Sequence, residues 1–303
     1  METTHKKLLG KKEVPMFGKQ ISWPRVRKVL GTILAYATLL ALSAVILLPL
    51  GWILTVALKP DNVAPFSIPV QWFPTKYWHW ENFVRTMVDE SKPFLIFTRN
   101  TLIIVAGNIL GTVFSCTLVA YAFARLRFRG RELLFNILII TMLIPYQALM
   151  IPQFIMFFKM GWYGTYLPLI VPSFTGNAFF IFLMRQYMRS FPKDLDDASR
   201  IDGCNYFQTF WYIILPLAKP VIAVCVVFVF MGQWSNLLGP LIYLDKTSMF
   251  TVAIGMANYI TRADPAFNLL MAANLIMMMP SMLLYFFAQK QLIGGIASVG
   301  LKG

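Results

Sequence analysis

Six long stretches of this chain carry no Asp, Glu, Lys, Arg or His: residues 29–58, 101–124, 133–158, 163–184, 221–244 and 268–288. The shortest has 21 residues and the longest 30, and a helix needs about 20 to cross roughly 30 Å of hydrocarbon. The pattern predicts an all-α membrane protein with six transmembrane helices over 29–288. A basic segment, 1–28, precedes the first span and a short tail, 289–303, follows the last. The first span begins after a strongly charged segment and runs too long for a signal-peptide core, so it is expected to be retained.

Composition supports the pattern. Of 303 residues, 58% are hydrophobic and 13% charged, with a mean hydropathy of +0.63. A soluble domain carries about 25% charged residues, so this chain has too few to clothe a water-exposed surface.

The formal charge of +14 and pI near 9.8 would suggest a nucleic-acid partner in a soluble protein. Here the cations lie in the connections beside spans, which is a topology signal and predicts no nucleic acid. If all six stretches cross, segments 1–28, 125–132, 185–220 and 289–303 share one side and hold 19 of the 27 Lys and Arg; the acids divide 7 to 6. Both termini are therefore expected in the cytoplasm. The connection 125–132 alternates Arg125, Arg127, Arg129 and Arg131 with apolar residues or glycine, an anchor to anionic lipid at that face. Opposite it, segment 59–100 is rich in aromatics, including Trp72, Trp78 and Trp80, which fits either an interfacial belt or a docking surface for an extracytoplasmic partner.

Several chemistries are missing. Cys116, Cys204 and Cys225 are odd in number and widely spaced, and His5 and His79 are isolated, so neither a disulfide framework nor a metal site is indicated. No ionisable group lies within the six stretches, which argues against a self-energised proton carrier. The chain lacks the phosphate-cradling sequence of a nucleotide site, so no cofactor is expected on it and any ATP-driven work must come from another polypeptide. No nucleophile, base or metal cluster can be assembled into an enzyme site. A passive channel or facilitator with a regulatory cytoplasmic loop fits these absences too.

The spans are interrupted. Pro49 with Gly51, Pro145 with Pro152, Pro168 with Pro172, and Gly232, Gly239 and Pro240 lie in or beside apolar helices. Proline removes an amide donor, and the freed carbonyl needs a partner in protein or water. Such breaks suit both helices moving around a pathway and ordinary packing kinks. Gln233, Ser235 and Asn236 flank Trp234 in the fifth span, and Asn274 lies within the sixth. Amides are costly in hydrocarbon unless paired, so Gln233, Trp234, Asn236 and Asn274 mark either interhelical bonding or a solute path.

The sharpest signal lies in the connection of about 190–216. Pro192 opens a helix, Asp194, Asp196 and Asp197 favour its positive end, and Leu195, Ala198 and Ile201 form an apolar stripe. Asp202 and Gly203 close it, glycine supplying a left-handed stop. Asn205 is placed to cap a second helix through Trp211, which Pro216 ends. The result is a compact helix–corner–helix knob through which force on a small patch reaches two spans.

This segment resembles the EAA loop of ATP-binding-cassette importer permeases: acid-Ala-small, glycine, then I-x-L-P, at Asp197, Ala198, Ser199, Gly203, Ile213, Leu215 and Pro216. Asp197 replaces Glu and Ser199 replaces Ala. The wider chain is similar to the maltose, glycerol-phosphate and multiple-sugar branch, through Leu58-Lys59-Pro60, Asn100-Thr101, the run from Ala120 to Arg125 and the terminal Gly300 to Gly303. The resemblance implies a type I importer permease in a bacterial or archaeal plasma membrane, carrying a sugar or oligosaccharide. It also implies the partners: a second homologous permease, a cytoplasmic ATPase dimer holding ATP and Mg, an extracytoplasmic solute-binding protein, and membrane lipid. In such a machine the EAA loop couples ATPase closure to alternating access, and the tail after Gln289 reaches toward the ATPase or frays. Gly203 is expected to be intolerant of bulk.

Overall fold

In the computed structural model, residues 23–61, 71–74, 77–88, 94–260 and 266–300 are described, with side chains for all but 23–26, 259, 260 and 290–300. The chain divides into two units, 1–52 and 53–303. The described part of the first unit is one helical stretch, the beginning of α1 (Trp23–Ala57), with Pro49 inside it. Thr32 and Thr38 donate their hydroxyls to the carbonyls of Lys28 and Leu34. The helix thus satisfies its own polar atoms, as hydrocarbon demands.

The second unit continues α1 from residue 53 and adds α2 (Glu81–Val88), α3 (Phe94–Arg125), α4 (Arg131–Thr141), α5 (Tyr146–Lys159), α6 (Leu167–Ile170), α7 (Ala178–Arg189) and α8 (Asp194–Ile201). There follow α9 (Tyr206–Gln208), α10 (Leu215–Leu217), α11 (Lys219–Trp234), α12 (Leu238–Tyr243), α13 (Val252–Ile260) and α14 (Phe267–Gly300). The tail of 289–303 thus begins as helix, which runs on to Gly300. Among the described residues, four helices are long and apolar enough to span: Arg27–Ala57, Phe94–Arg125, Leu167–Arg189 and Phe267–Gln289. Two bent pairs, Arg131–Thr141 with Tyr146–Lys159 at 94° and Tyr206–Leu217 with Lys219–Trp234 at 73°, bring the total to six if each is one span.

The bends have identifiable causes. Pro145 stands at the N-cap of α5 and cannot extend the ladder of α4, which ends four residues earlier. Pro220, in the first turn of α11, has no amide to return to the carbonyl of Pro216, and the chain turns at Ala218. Several boundaries differ from the sequence reading, two of them in ways that bear on the site. The stretch 221–244 is two helices, because α11 stops at Trp234 and α12 begins at Leu238. The helix expected to close at Met184 runs on to Arg189 and buries Arg185. The Arg185 guanidinium lies 3.7 Å from the Phe135 ring centre and pairs with Glu132 at 3.1 Å, so it is compensated on both its face and its edge.

Helix α3 is the central post. It packs against α7, α11 and the 3₁₀ turn Val171–Thr175. Its polar side chains satisfy the irregular backbone beside it. Asn100 Nδ2 donates to the carbonyls of Ser248 and Phe250, Asn108 Nδ2 to that of Leu169, and Ser115 Oγ to that of Ser173. Thr101 Oγ1 accepts the amide of Val252. The broken backbone around α6 and before α13 is tolerated because α3 supplies the missing partners. Gly111 lets the turn come close: a β-carbon there would stand 2.1 Å from Ser173 Oγ and 2.7 Å from the Phe174 ring.

At the other end of the bundle, Asn82 of α2 donates to the carbonyls of Ala57 and Lys59, and Asn268 of α14 reaches Asp61 at 2.6 Å. Hydrogen bonds from Arg85 and then Asn268 hold the Asp61 carboxyl below its usual range, while burial lowers the Lys59 ammonium. The Leu58-Lys59-Pro60 exit from the first span is therefore a fixed corner.

Candidate functional site: a capped knob and a mid-span cavity

The knob is built by local rules. Asp194, Asp196 and Asp197 occupy the first turn of α8, where the helix dipole favours negative charge. At its end Gly203 adopts φ +78°, its amide bonds to the Arg200 carbonyl at 3.0 Å, and the Cys204 amide bonds to the Ser199 carbonyl at 2.9 Å. These are the two closing bonds of a Schellman stop. Asn205 and Gln208 then exchange side-chain-to-backbone bonds in a capping box that starts α9. The chain continues through a π-helical turn, Thr209–Ile214, and α10 into α11. Pro216 lies within this run, whose end comes at Ala218. Ile213 and Leu215 are half-buried at the root of the knob and Pro216 is exposed.

The apolar stripe faces the opposite way from the usual arrangement. Ser199 is the buried residue of α8, its hydroxyl 3.0 Å from that of Thr209. Ala198 is exposed, Leu195 is half-buried, and Ile201 is 87% exposed. Asp197, Asp202 and Gly203 stand on the open surface with them. The knob thus presents an apolar tip ringed by acids. No atom lies within 4 Å of a β-carbon built at Gly203, so within this chain the constraint there is the backbone angle and not bulk.

Helix α3 holds the knob. Tyr121 donates its hydroxyl to the Tyr206 carbonyl at 3.0 Å and its ring packs on Phe210. The buried side chain of Arg125 donates to the carbonyls of Phe191 and Pro192 and pairs with Asp196 at 3.4 Å. Sequence reasoning marked the run from Ala120 to Arg125 as part of a resemblance and Arg125 as a lipid anchor; the buried Arg125 instead joins Tyr121 in this clamp.

Roughly 20 Å back along α3 from Arg125, beside Thr112, lies a cavity of about 480 Å³. Asn108 and Thr112 of α3, Gln153 of α5, Asn177, and Gln233 and Asn236 at the end of α11 line it with amides and hydroxyl. Tyr146, Phe157, Phe180, Phe228 and Tyr243 add aromatic walls. None of its lining residues is Asp, Glu, Lys, Arg or His. Asn236 donates to Gln233 at 3.1 Å and accepts the Gly239 amide, and the buried hydroxyl of Tyr243 has no hydrogen-bond partner among the described residues. The structure therefore brings Gln233 and Asn236 together in a cavity but not the other two sequence candidates. Trp234 is buried, donates to the Met277 carbonyl at 2.8 Å and stacks on Phe230. Asn274 is half-buried and outside the lining. The residues missed, Asn108, Gln153 and Asn177, satisfied the same rule of amides within apolar stretches.

A bundle of bent spans, an interior polar cavity and a protruding capped knob define a membrane permease subunit. The chain belongs to the family of binding-protein-dependent transport system inner membrane components, whose family model matches residues 101–297. It is 32% identical over 74% of its length, and 79% of the relative's, to the arabinooligosaccharides transport permease AraQ of Halalkalibacterium halodurans. It is 31% identical to the lactose transport permease LacG of Rhizobium radiobacter, over 67% and 73% of the two chains. To the maltose/maltodextrin permease MalG of Yersinia pestis it is 27% identical over 97% and 100%. Its fold is similar to a chain of a bacterial ABC transporter involved in import of the acidic polysaccharide alginate, with TM-score 0.74 and 21% identity over 88% of this chain and 97% of that one. The protein is thus a multi-pass inner-membrane transport subunit of an ABC importer, not an enzyme, and the ATPase is a separate chain.

Proposed function

We propose that this subunit moves an uncharged sugar or oligosaccharide, and that the knob of 190–216 couples its movement to a cytoplasmic ATPase dimer. The observation that carries the reading is the continuity of α3. One end clamps the knob through Tyr121 and Arg125, and Asn108 and Thr112 line the cavity. The 14 residues from Thr112 to Arg125 span roughly 20 Å of unbroken helix, so a displacement of the knob reaches the cavity through a rigid rod.

In this account Asp197, Ala198 and Ile201 enter a cleft on the ATPase, which binds ATP and Mg. Closure of its two subunits pulls the knob, and this chain rocks against a second, homologous permease. The joint cavity opens outward to accept solute from the binding protein, and hydrolysis resets it. Amides, hydroxyls and aromatic faces are the groups that hold a neutral polyol. The cavity lacks the cations an acidic sugar would need.

Reconstituted with its ATPase and binding protein, the permease is expected to import solute only when ATP is supplied on the ATPase side; uptake without ATP would establish a passive facilitator instead. Asp197→Lys is expected to weaken co-purification with the ATPase, and unchanged recovery would refute an acidic contact there. For orientation, Cys204 stands on the knob while Cys116 and Cys225 are buried. A membrane-impermeant maleimide should label Cys204 in inverted vesicles and not in right-side-out ones; the reverse pattern would place the knob outside and both termini with it.

A further inference from the structure

Beside the knob lies a second cavity, about 840 Å³, enclosed by the α3–α4 connection, the end of α7 and the inner side of α8. Six cations line it: Arg125, Arg127, Arg131, Arg189, Lys193 and Arg200. Three acids, Glu132, Asp196 and Asp197, stand among them. The acids are already engaged: Asp196 by Arg125, Glu132 by Arg131 and Arg185, and Asp197 within 4.0 Å of Arg200. The exposed side chains of Arg127, Arg189 and Lys193 make no hydrogen bond or close ion pair among the described residues, although Arg189 acts electrostatically on Glu132. Six cations against three acids leave the lining with an excess of positive charge.

Its position says what kind of anion fits. Only five residues, 126–130, join α3 to α4, so the cationic wall cannot stand far from the bilayer surface. The wall also has an apolar edge. Phe128 and Leu133 line the cavity, and from Leu133 an exposed stripe of Ile137 and Ile140 runs down α4 at i+4 and i+7. A cluster of cations opening onto an exposed apolar track is complementary to an amphiphile with a negative head. An acidic peptide would satisfy the cations but leave that track unused.

We propose that this cavity binds one anionic phospholipid of the cytoplasmic leaflet, its phosphate among Arg127, Arg189 and Lys193 and its acyl chain along Leu133, Ile137 and Ile140. The lipid would bridge the α3–α4 connection to the base of the knob, so headgroup charge would set how firmly the coupling element is held. The leaflet rests on the orientation proposed above; the site itself does not.

The full-length chain, purified in uncharged detergent, is tested by native mass spectrometry with equimolar phosphatidylglycerol and phosphatidylcholine of identical chains. A cation near a surface strengthens anion binding roughly fivefold, so three unpaired ones are expected to favour phosphatidylglycerol roughly a hundredfold. Arg127→Gln alone should reduce the preference roughly fivefold, and the triple variant R127Q/R189Q/K193Q should bring it near parity. Arg127→Lys should retain most of it. If the triple variant does not fold, the single variants still decide. Excess inorganic phosphate should leave the lipid bound; its displacement would assign the cavity to free phosphate and overturn the proposal. Equal retention of both lipids by the wild-type chain also overturns it, and if the triple variant then loses its ATPase in co-purification, the cavity belongs to that subunit contact. None of these readouts requires transport, so failure of the importer reading and failure of the lipid site are separable.

Discussion

Gly203 is where the coupling element depends most on a single backbone angle. Its φ of +78° is reached by glycine without cost, whereas another L residue is strained there by about 1–2 kcal/mol. With open space around its α-carbon, the expected order of tolerance follows backbone preference and not size. Gly203→Asn should keep the corner, because asparagine visits the left-handed region. Gly203→Val should loosen it, seen as faster hydrogen exchange at the Gly203 and Cys204 amides that close the Schellman stop. Equal exchange in both variants would show that the corner is held by something other than φ. The expectation of intolerance to bulk then applies to the assembled importer, where the proposed docking would set a cleft around the corner. Ser199 illustrates a different point. It departs from the alanine of the family pattern, and its hydroxyl meets that of Thr209 inside the knob, joining the two helices the corner separates.

Among the elements, α3 carries both halves of the site, and its fit against the 3₁₀ turn Val171–Thr175 leaves no space at Gly111. Gly111→Ala is expected to destabilise the subunit by about 1–3 kcal/mol through overpacking, read as a lower unfolding temperature in detergent. Gly232→Ala, with nothing within 4 Å of the new carbon, should leave it unchanged. Equal effects would mean that the turn moves aside. The knob was legible in the sequence because each of its devices is local: acids in a first turn, a glycine stop, a capping box. Which side of α8 is buried was not legible, since a two-turn helix whose apolar face meets another chain reads the same as one whose apolar face meets its own core. Gly232, Gly239 and Pro240 marked the fifth span as interrupted, but the place of the break, after Trp234, was not legible because 221–244 is uniformly uncharged. The cavity was half legible. Its amides come from α3, α5, the start of α7 and the end of α11, and only the folded chain reveals that Gln233 and Asn236 share it while Trp234 and Asn274 do not.

At the scale of the whole molecule, a chain with no power source of its own places an exposed apolar tip at one end of a continuous helix and an uncharged cavity along it. The charge pattern and the uncharged stretches sufficed to foresee a multi-pass helical membrane protein, and the resemblance of the segment from Asp197 to Pro216 added the permease. What they could not foresee is the join between tip and rod, because Tyr121 and Arg125 act on carbonyls of Tyr206, Phe191 and Pro192, which have no signature in sequence. That join is tested by changing both clamp residues, Tyr121→Phe with Arg125→Gln, in the complete importer and measuring ATP hydrolysis and solute uptake in the same proteoliposomes. The account predicts that the ATPase still assembles and hydrolyses while solute moved per ATP falls at least about tenfold. Uptake and hydrolysis remaining in their wild-type ratio would contradict it.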